Sequence, residues 1–186
     1  LPSSTRHLDI SAKNISIDEI LLVTGSRKLG VDFDMPISSK FSMALAPDGG
    51  LTEIAGNVGF GAGYLRFDDP NDEPKMIDSI DTAFHWDRVN RRIAIDHAKI
   101  RAGSTDFDFK GVLAPPAREG DDWQVSLVNA QREIYGTERP GEVPIILTKV
   151  GMSARINLAA KKLMLDRFEF SGPECSFAMS GTVDWT

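Results

Sequence analysis

One cysteine, three histidines and two tyrosines among 186 residues leave little material for catalysis or metal binding. Cys175 stands alone, so no Cys-x-x-Cys pair exists, and on the odd, apolar register of its stretch it reads as a small core residue. His7, His85 and His97 lie in three separate stretches with no Ser or Cys at motif spacing and no His-x-x-x-His. Basic residues are also in the minority, 21 Lys and Arg against 27 Asp and Glu, and they form no block. The resulting net charge of −6 disfavours a nucleic-acid partner. With a mean hydropathy of −0.18, this segment has no membrane span. Its first residues, Leu-Pro-Ser-Ser-Thr-Arg, lack the basic start and apolar run of a signal peptide, and the expectation is a piece of a larger protein.

What the sequence has is a pattern that comes back. Residues 84–113 slide onto 154–183 without a gap at an offset of 70. Phe84 and Trp86 fall on Ala154 and Ile156, Ile93 and Ile95 on Leu163 and Leu165, and Asp96 on Asp166. Phe107 falls on Phe177, Phe109 on Met179, and Gly111 on Gly181. From 105 to 113 the odd positions read Thr-Phe-Phe-Gly-Leu while Asp106, Asp108 and Lys110 occupy the even ones. That two-residue period belongs to a strand with one apolar and one wet face. Ile93 and Ile95 put the apolar face on odd positions, but Ala98, Ile100 and Ala102 put it on even ones. The second copy switches likewise, from Leu163/Leu165 to Phe168/Phe170, as a β-bulge requires.

The rest of the chain keeps the same beat. Ser39-Phe41-Met43-Leu45, Ile54-Gly56-Val58-Phe60 and Trp123-Val125-Leu127 alternate, and about a dozen strands are expected. The glycines at 56, 59, 61 and 63 suggest curvature or a bulge. One short helix is expected at 17–24, where Ser16 and Glu19 form a capping box and Gly25 stops it. The fold class is all-β: a long curved antiparallel sheet built from a unit of about 70 residues, at about 44–116 and 117–186. The chain reads as a single segment, 1–186.

Chemistry finds no home in this pattern. Asp96-His97 at the bulge matches Asp166-Arg167, an acid followed by a cation, and reads as an exposed pair. The carboxylates of 68–73 lack EF-hand spacing and read as a solvated turn. No catalytic residue, metal or cofactor is expected. Two readings of the apolar face stay open. It is the core of a closed sandwich or barrel, or it lines an open trough whose length would demand lipid or another apolar guest.

Several stretches resemble a known family. Ser11-Ala12-Lys13-Asn14-Ile15-Ser16-Ile17-Asp18-Glu19-Ile20-Leu21 resembles the opening of AsmA-like proteins of Gram-negative bacteria. Phe84-x-Trp86-Asp87, Arg92-x-x-Ile95-Asp96, Asp166-Arg167-Phe168, Gly172-Pro173-Glu174 and Ser180-Gly181 resemble the YhdP-type branch, in its alphaproteobacterial form. The resemblance implies a periplasmic β-groove, a parent protein anchored in the inner membrane, and a non-enzymatic role in moving phospholipid for outer-membrane lipid homeostasis. Its expected partners are phospholipid or another acyl-chain ligand, and the remainder of the parent chain. The expected lipid-binding residues are Phe84, Trp86, Ile93, Ile95, Phe107, Phe109, Leu163, Leu165, Phe177 and Met179. The rival reading is a structural or assembly module of the envelope with a closed β core.

Overall fold

A computed structural model describes residues 5–16, 19, 31–47, 49–67, 73–137 and 143–184. These residues form fifteen strands, more than the dozen expected because several short runs are strands of their own. Ten of them make one antiparallel sheet. Its members, in spatial order, are β1 (Arg6–Ile15), β3 (Ile37–Leu45), β4 (Leu51–Phe60), β7 (Ser79–Asp87), β8 (Arg92–Ala102), β9 (Thr105–Ala114), β10 (Trp123–Asn129), β13 (Lys149–Asn157), β14 (Lys162–Ser171) and β15 (Ser176–Asp184). The sheet does not close: β1 and β15 are its two edges. Two small sheets accompany it. One contains β2 (Val31–Asp34), β5 (Gly63–Phe67) and β6 (Lys75–Ile77), the other β11 (Ile134–Gly136) and β12 (Ile145–Leu147).

Local chemistry explains where strands turn and break. Between β7 and β8 the backbone of Asn90 donates to Asp87 Oδ1 at 3.1 Å, and Arg91 takes a left-handed φ of 52°. Between β13 and β14 the backbone of Ala160 donates to Asn157 Oδ1 at 2.7 Å, and Lys161 has φ 51°. Each turn is closed by a short polar side chain reaching forward to the backbone. The breaks that separate β6 from β7 and β12 from β13 also correspond. There Asp78 N donates to Arg101 O and Thr148 N to Ser171 O, both at 2.8 Å.

Bulges fall where the register switch places them. In β8 the pairing with β9 slips between Ile95 and Ala98, and in β14 the pairing with β15 slips between Leu165 and Phe168. Turns, breaks and bulges therefore recur 70 residues apart. The helix expected at 17–24 lies outside the described residues except for Glu19. Its capping box is formed: Ser16 N donates to Glu19 Oε2 at 2.8 Å and Glu19 N to Ser16 Oγ at 3.2 Å. The acidic loop at 68–73 also falls outside them, apart from Glu73.

Two expectations change. Cys175 is exposed: it belongs to the turn before β15, where its carbonyl accepts from Gly172 N, and β15 itself is exposed along its whole length. Gly63 serves close approach rather than a bulge, since a Cβ there would lie 1.8 Å from the carbonyl oxygen of Asp34.

Candidate functional site on the open apolar face

Register alone sorts the side chains of the long sheet into two faces, because directly paired residues point the same way. Starting from β8, Ile93 pairs with Trp86 and Ile95 with Phe84 on one side. On the other, Ile93 pairs with Leu113, Ile95 with Gly111, Ala98 with Phe109 and Ile100 with Phe107. The ladder passes through Gly111–Leu127 and Leu127–Met152 to Met152–Phe168. Ala154 then meets Leu165 and Ile156 meets Leu163. It ends on β15, with Phe168–Met179 and Phe170–Phe177. In the opposite direction Phe84 meets Gly56, Gly56 meets Phe41, and Phe41 meets Ile10. All ten residues expected to form the site, on β7, β8, β9, β14 and β15, thus share one face of the ten-stranded sheet.

The same ladder adds residues outside that expectation: Ile10, Phe41, Ile100, Leu127, Phe168 and Phe170. For Ile100, Phe168 and Phe170 the signal was the switch of apolar register at the bulge, which moves the inward positions from odd to even; for Ile10, Phe41 and Leu127 it was plain alternation along their strands. Aromatic rings concentrate at three places on the face. Phe107 stacks on Phe109 at 6.0 Å between ring centres, and Phe170 stacks on Phe177 at 5.3 Å. Phe41 and Phe84 meet at 5.8 Å over Gly56, where a Cβ would sit 2.8 Å from the Phe41 ring. Glycine on the central strand lets the flanking rings close above it.

Little lies on top of this face. Among the described residues the other strands form only the two small sheets. Short strands lie against the long sheet in places: β11 against β9, with Gly136 beside Thr105 and Ile134 buried, and β6 beside β8. Among the described residues the fully buried hydrophobic ones are Met35, Ala44, Ile134, Val150 and Ala154. Toward the edges the face is open, with Leu8, Ile10, Phe177 and Met179 about half exposed. The chain exposes 13084 Å², where a compact monomer of its mass would expose about 8,800 Å². Ten strands at spacings of about 4.8 Å make a strip roughly 43 Å across, far beyond the few hundred Å² of apolar patch usual on a monomer.

The opposite face is wet and held by exposed ion pairs. His85 Nδ1 lies 3.0 Å from Asp96 Oδ2, and the pair 70 residues on is Arg155 Nη2 to Asp166 Oδ1 at 2.7 Å. Each bulge aspartate therefore pairs across to the neighbouring strand rather than with the cation that follows it. Arg167 instead meets Glu169, which Lys149 also reaches. The hydrogen bond from Arg155 holds Asp166 below the usual carboxylate range, and hydrogen bonds from Lys149 and Arg167 do the same for Glu169. Asp87 is lowered mainly by Asn90.

A carboxylate lowered in the folded state adds stability above its unfolded pKa of about 4 and loses it as pH falls through the folded value. Melting temperature should stay level from pH 7 to about 5 and fall below about 4. The fall should be small, because exposed pairs are well screened, and Asp166→Asn should flatten it. A melting temperature that rose on acidification would contradict this origin.

Among the described residues no three His, Cys, Asp or Glu side chains converge as a metal site. No helix among them is long and apolar enough to cross a membrane, which says nothing of spans made by strands. No protein-family model matches the chain, and neither a curated protein nor a solved structure matches it.

Proposed function

We propose that this chain is part of a hydrophobic β-groove that binds and conducts phospholipid in the periplasm. In this reading it belongs to an AsmA-like protein of the YhdP type, anchored in the inner membrane and supporting outer-membrane lipid homeostasis. One observation carries the proposal: an apolar face continuous over ten paired strands of a sheet that does not close, with few fully buried residues among those described. A face of that size in water must be satisfied by something apolar and extended, and an acyl chain fits the description. Each methylene moved from water onto the lining contributes about 0.8 kcal/mol, so even partial contact along a chain retains a lipid. Headgroups stay hydrated at the open side, and transport along the groove is passive.

The sheet is read as a curved trough made by repeating a unit of about 70 residues. Each copy contributes four long strands, β4, β7, β8 and β9 in one and β10, β13, β14 and β15 in the other. The recurrence of turns, breaks and bulges supports that reading, because repetition extends an apolar strip without closing it. The rival reading, a structural or assembly module of the envelope, needs a closed β core, and the sheet that does not close favours the groove over it. Organic extraction of the chain purified from a Gram-negative host should release phospholipid in near-stoichiometric amount. A clean, monomeric, lipid-free protein would contradict the proposal.

A further inference from the structure

Successive hairpins of an antiparallel sheet turn on alternate sides, so β7–β8 and β13–β14 turn on one rim, and β8–β9 and β14–β15 on the other. The two turns of the first rim are built alike. Each follows a last strand pair, Asp87–Arg92 or Asn157–Lys162, and leaves residues 88–91 or 158–161 exposed. Each presents an aliphatic side chain to water: Val89 is 90% exposed and Leu158 63%. Each also holds a cation in the left-handed region, Arg91 at φ 52° and Lys161 at φ 51°. Glycine or asparagine takes that conformation readily, whereas arginine and lysine hold it against steric strain, and such strain collects where a segment has work to do.

The charge of this rim is open to partners. Arg92 and Lys162 are met by Asp87 and Asp184. Among the described residues Arg88, Arg91 and Lys161 have no carboxylate partner. The β9–β10 connection between the two turns adds exposed Arg118, with Glu119 and Asp121 beside it, so cations stay in excess. The opposite rim differs. At the β8–β9 turn Arg101 is taken by Asp106 at 2.9 Å, and Gly103 N donates to Asp78 Oδ2 at 2.7 Å. The β14–β15 turn holds Glu174 and no cation.

We propose that the rim of the β7–β8 and β13–β14 turns docks on the surface of an anionic phospholipid bilayer. Val89 and Leu158 enter the boundary between headgroups and acyl chains, while Arg88, Arg91 and Lys161 pair with lipid phosphates. The two turns lie four strand spacings apart, roughly 19 Å, so they grip separate lipids. With a net charge of −6 the chain as a whole is repelled by such a surface, and contact depends on presenting this rim. The proposal stands apart from the groove reading, since it uses the turns and not the apolar face.

Flotation with vesicles of phosphatidylcholine and phosphatidylglycerol should carry the intact chain, vesicles of phosphatidylcholine alone should not, and added salt should release it. Each cation at an anionic surface contributes about fivefold, so Arg88→Gln, Arg91→Asn and Lys161→Asn together should weaken binding on the order of a hundredfold. Circular dichroism and melting should be preserved, because asparagine tolerates the left-handed positions. An environment-sensitive fluorophore on Val89→Cys, in a chain with Cys175→Ser, should shift to the blue on the anionic vesicles. The same fluorophore on native Cys175, in a turn of the opposite rim, should not. Absence of binding, equal binding to both vesicles, or a folded triple variant that binds like wild type would overturn the proposal. So would a blue shift at Cys175 as large as that at position 89. Phospholipid recovered by organic extraction is unaffected by any of these results, so the groove reading fails or stands separately.

Discussion

Replacing Phe107 with Asp is expected to yield a soluble, β-rich protein that has lost most of its bound phospholipid. In a closed core this substitution would bury an unpaired charge, cost several kcal/mol and unfold the chain. Here Phe107 is half-buried, stacked on Phe109 and paired with Ile100, on a sheet that does not close. In an open trough a carboxylate at that position reaches water along the mouth. The loss is then mostly the ring's partial contact, about 1–2 kcal/mol, and melting should drop by only several degrees. Phe177→Asp, at an edge position 47% exposed, should cost less still. Both variants should carry less phospholipid by organic extraction. Unfolded or insoluble variants would mean that the face is packed against something, and folded variants with undiminished lipid would put the ligand elsewhere.

Gly111→Val should do the reverse, destroying the fold while adding apolar surface. The new Cβ would be driven into Ser126 O and the side chain of Leu127, and neither strand can retreat without breaking the β9–β10 ladder. Overpacking against backbone falls at the upper end of its usual cost, about 3 kcal/mol. With only five hydrophobic residues fully buried among those described, there is little to spare against such a loss. Gly181→Val, at the matching position 70 residues on, should be neutral or slightly stabilising, since β-branched residues favour strands and nothing crowds the site. Chemical denaturation of the two variants checks the pair, and equal effects would contradict the packing difference between β9 and β15.

Much of this arrangement was legible in the sequence, for a physical reason. A strand wet on one side writes its facing into every second residue, so the inward positions of β8, β9, β14 and β15 could be read directly. The bulges were legible too, because a one-residue slip leaves a visible change of phase at 95–98 and again at 165–168. Periodicity does not say what lies against the apolar face, so an open sheet and a closed core read alike. The breaks at Asp78 and Thr148 left no mark either, since each is a single residue whose backbone is satisfied by a distant carbonyl. Cys175 was misplaced for a related cause: parity continued one residue past the start of β15, into a turn.

The central claim is that acyl chains lie on the apolar face, and tryptophan fluorescence tests it most directly. Trp86 is on that face, paired with Ile93, while Val128 points from the wet face and is 52% exposed. One variant keeps Trp86 alone, with Trp123→Phe and Trp185→Phe. A second also carries Trp86→Phe and places its single tryptophan by Val128→Trp. Each is loaded with phospholipid brominated along the acyl chain, which quenches only tryptophans in close contact. Strong quenching of Trp86 with little at position 128 is the expected result. Equal quenching at both positions, or stronger quenching at 128, would contradict the account.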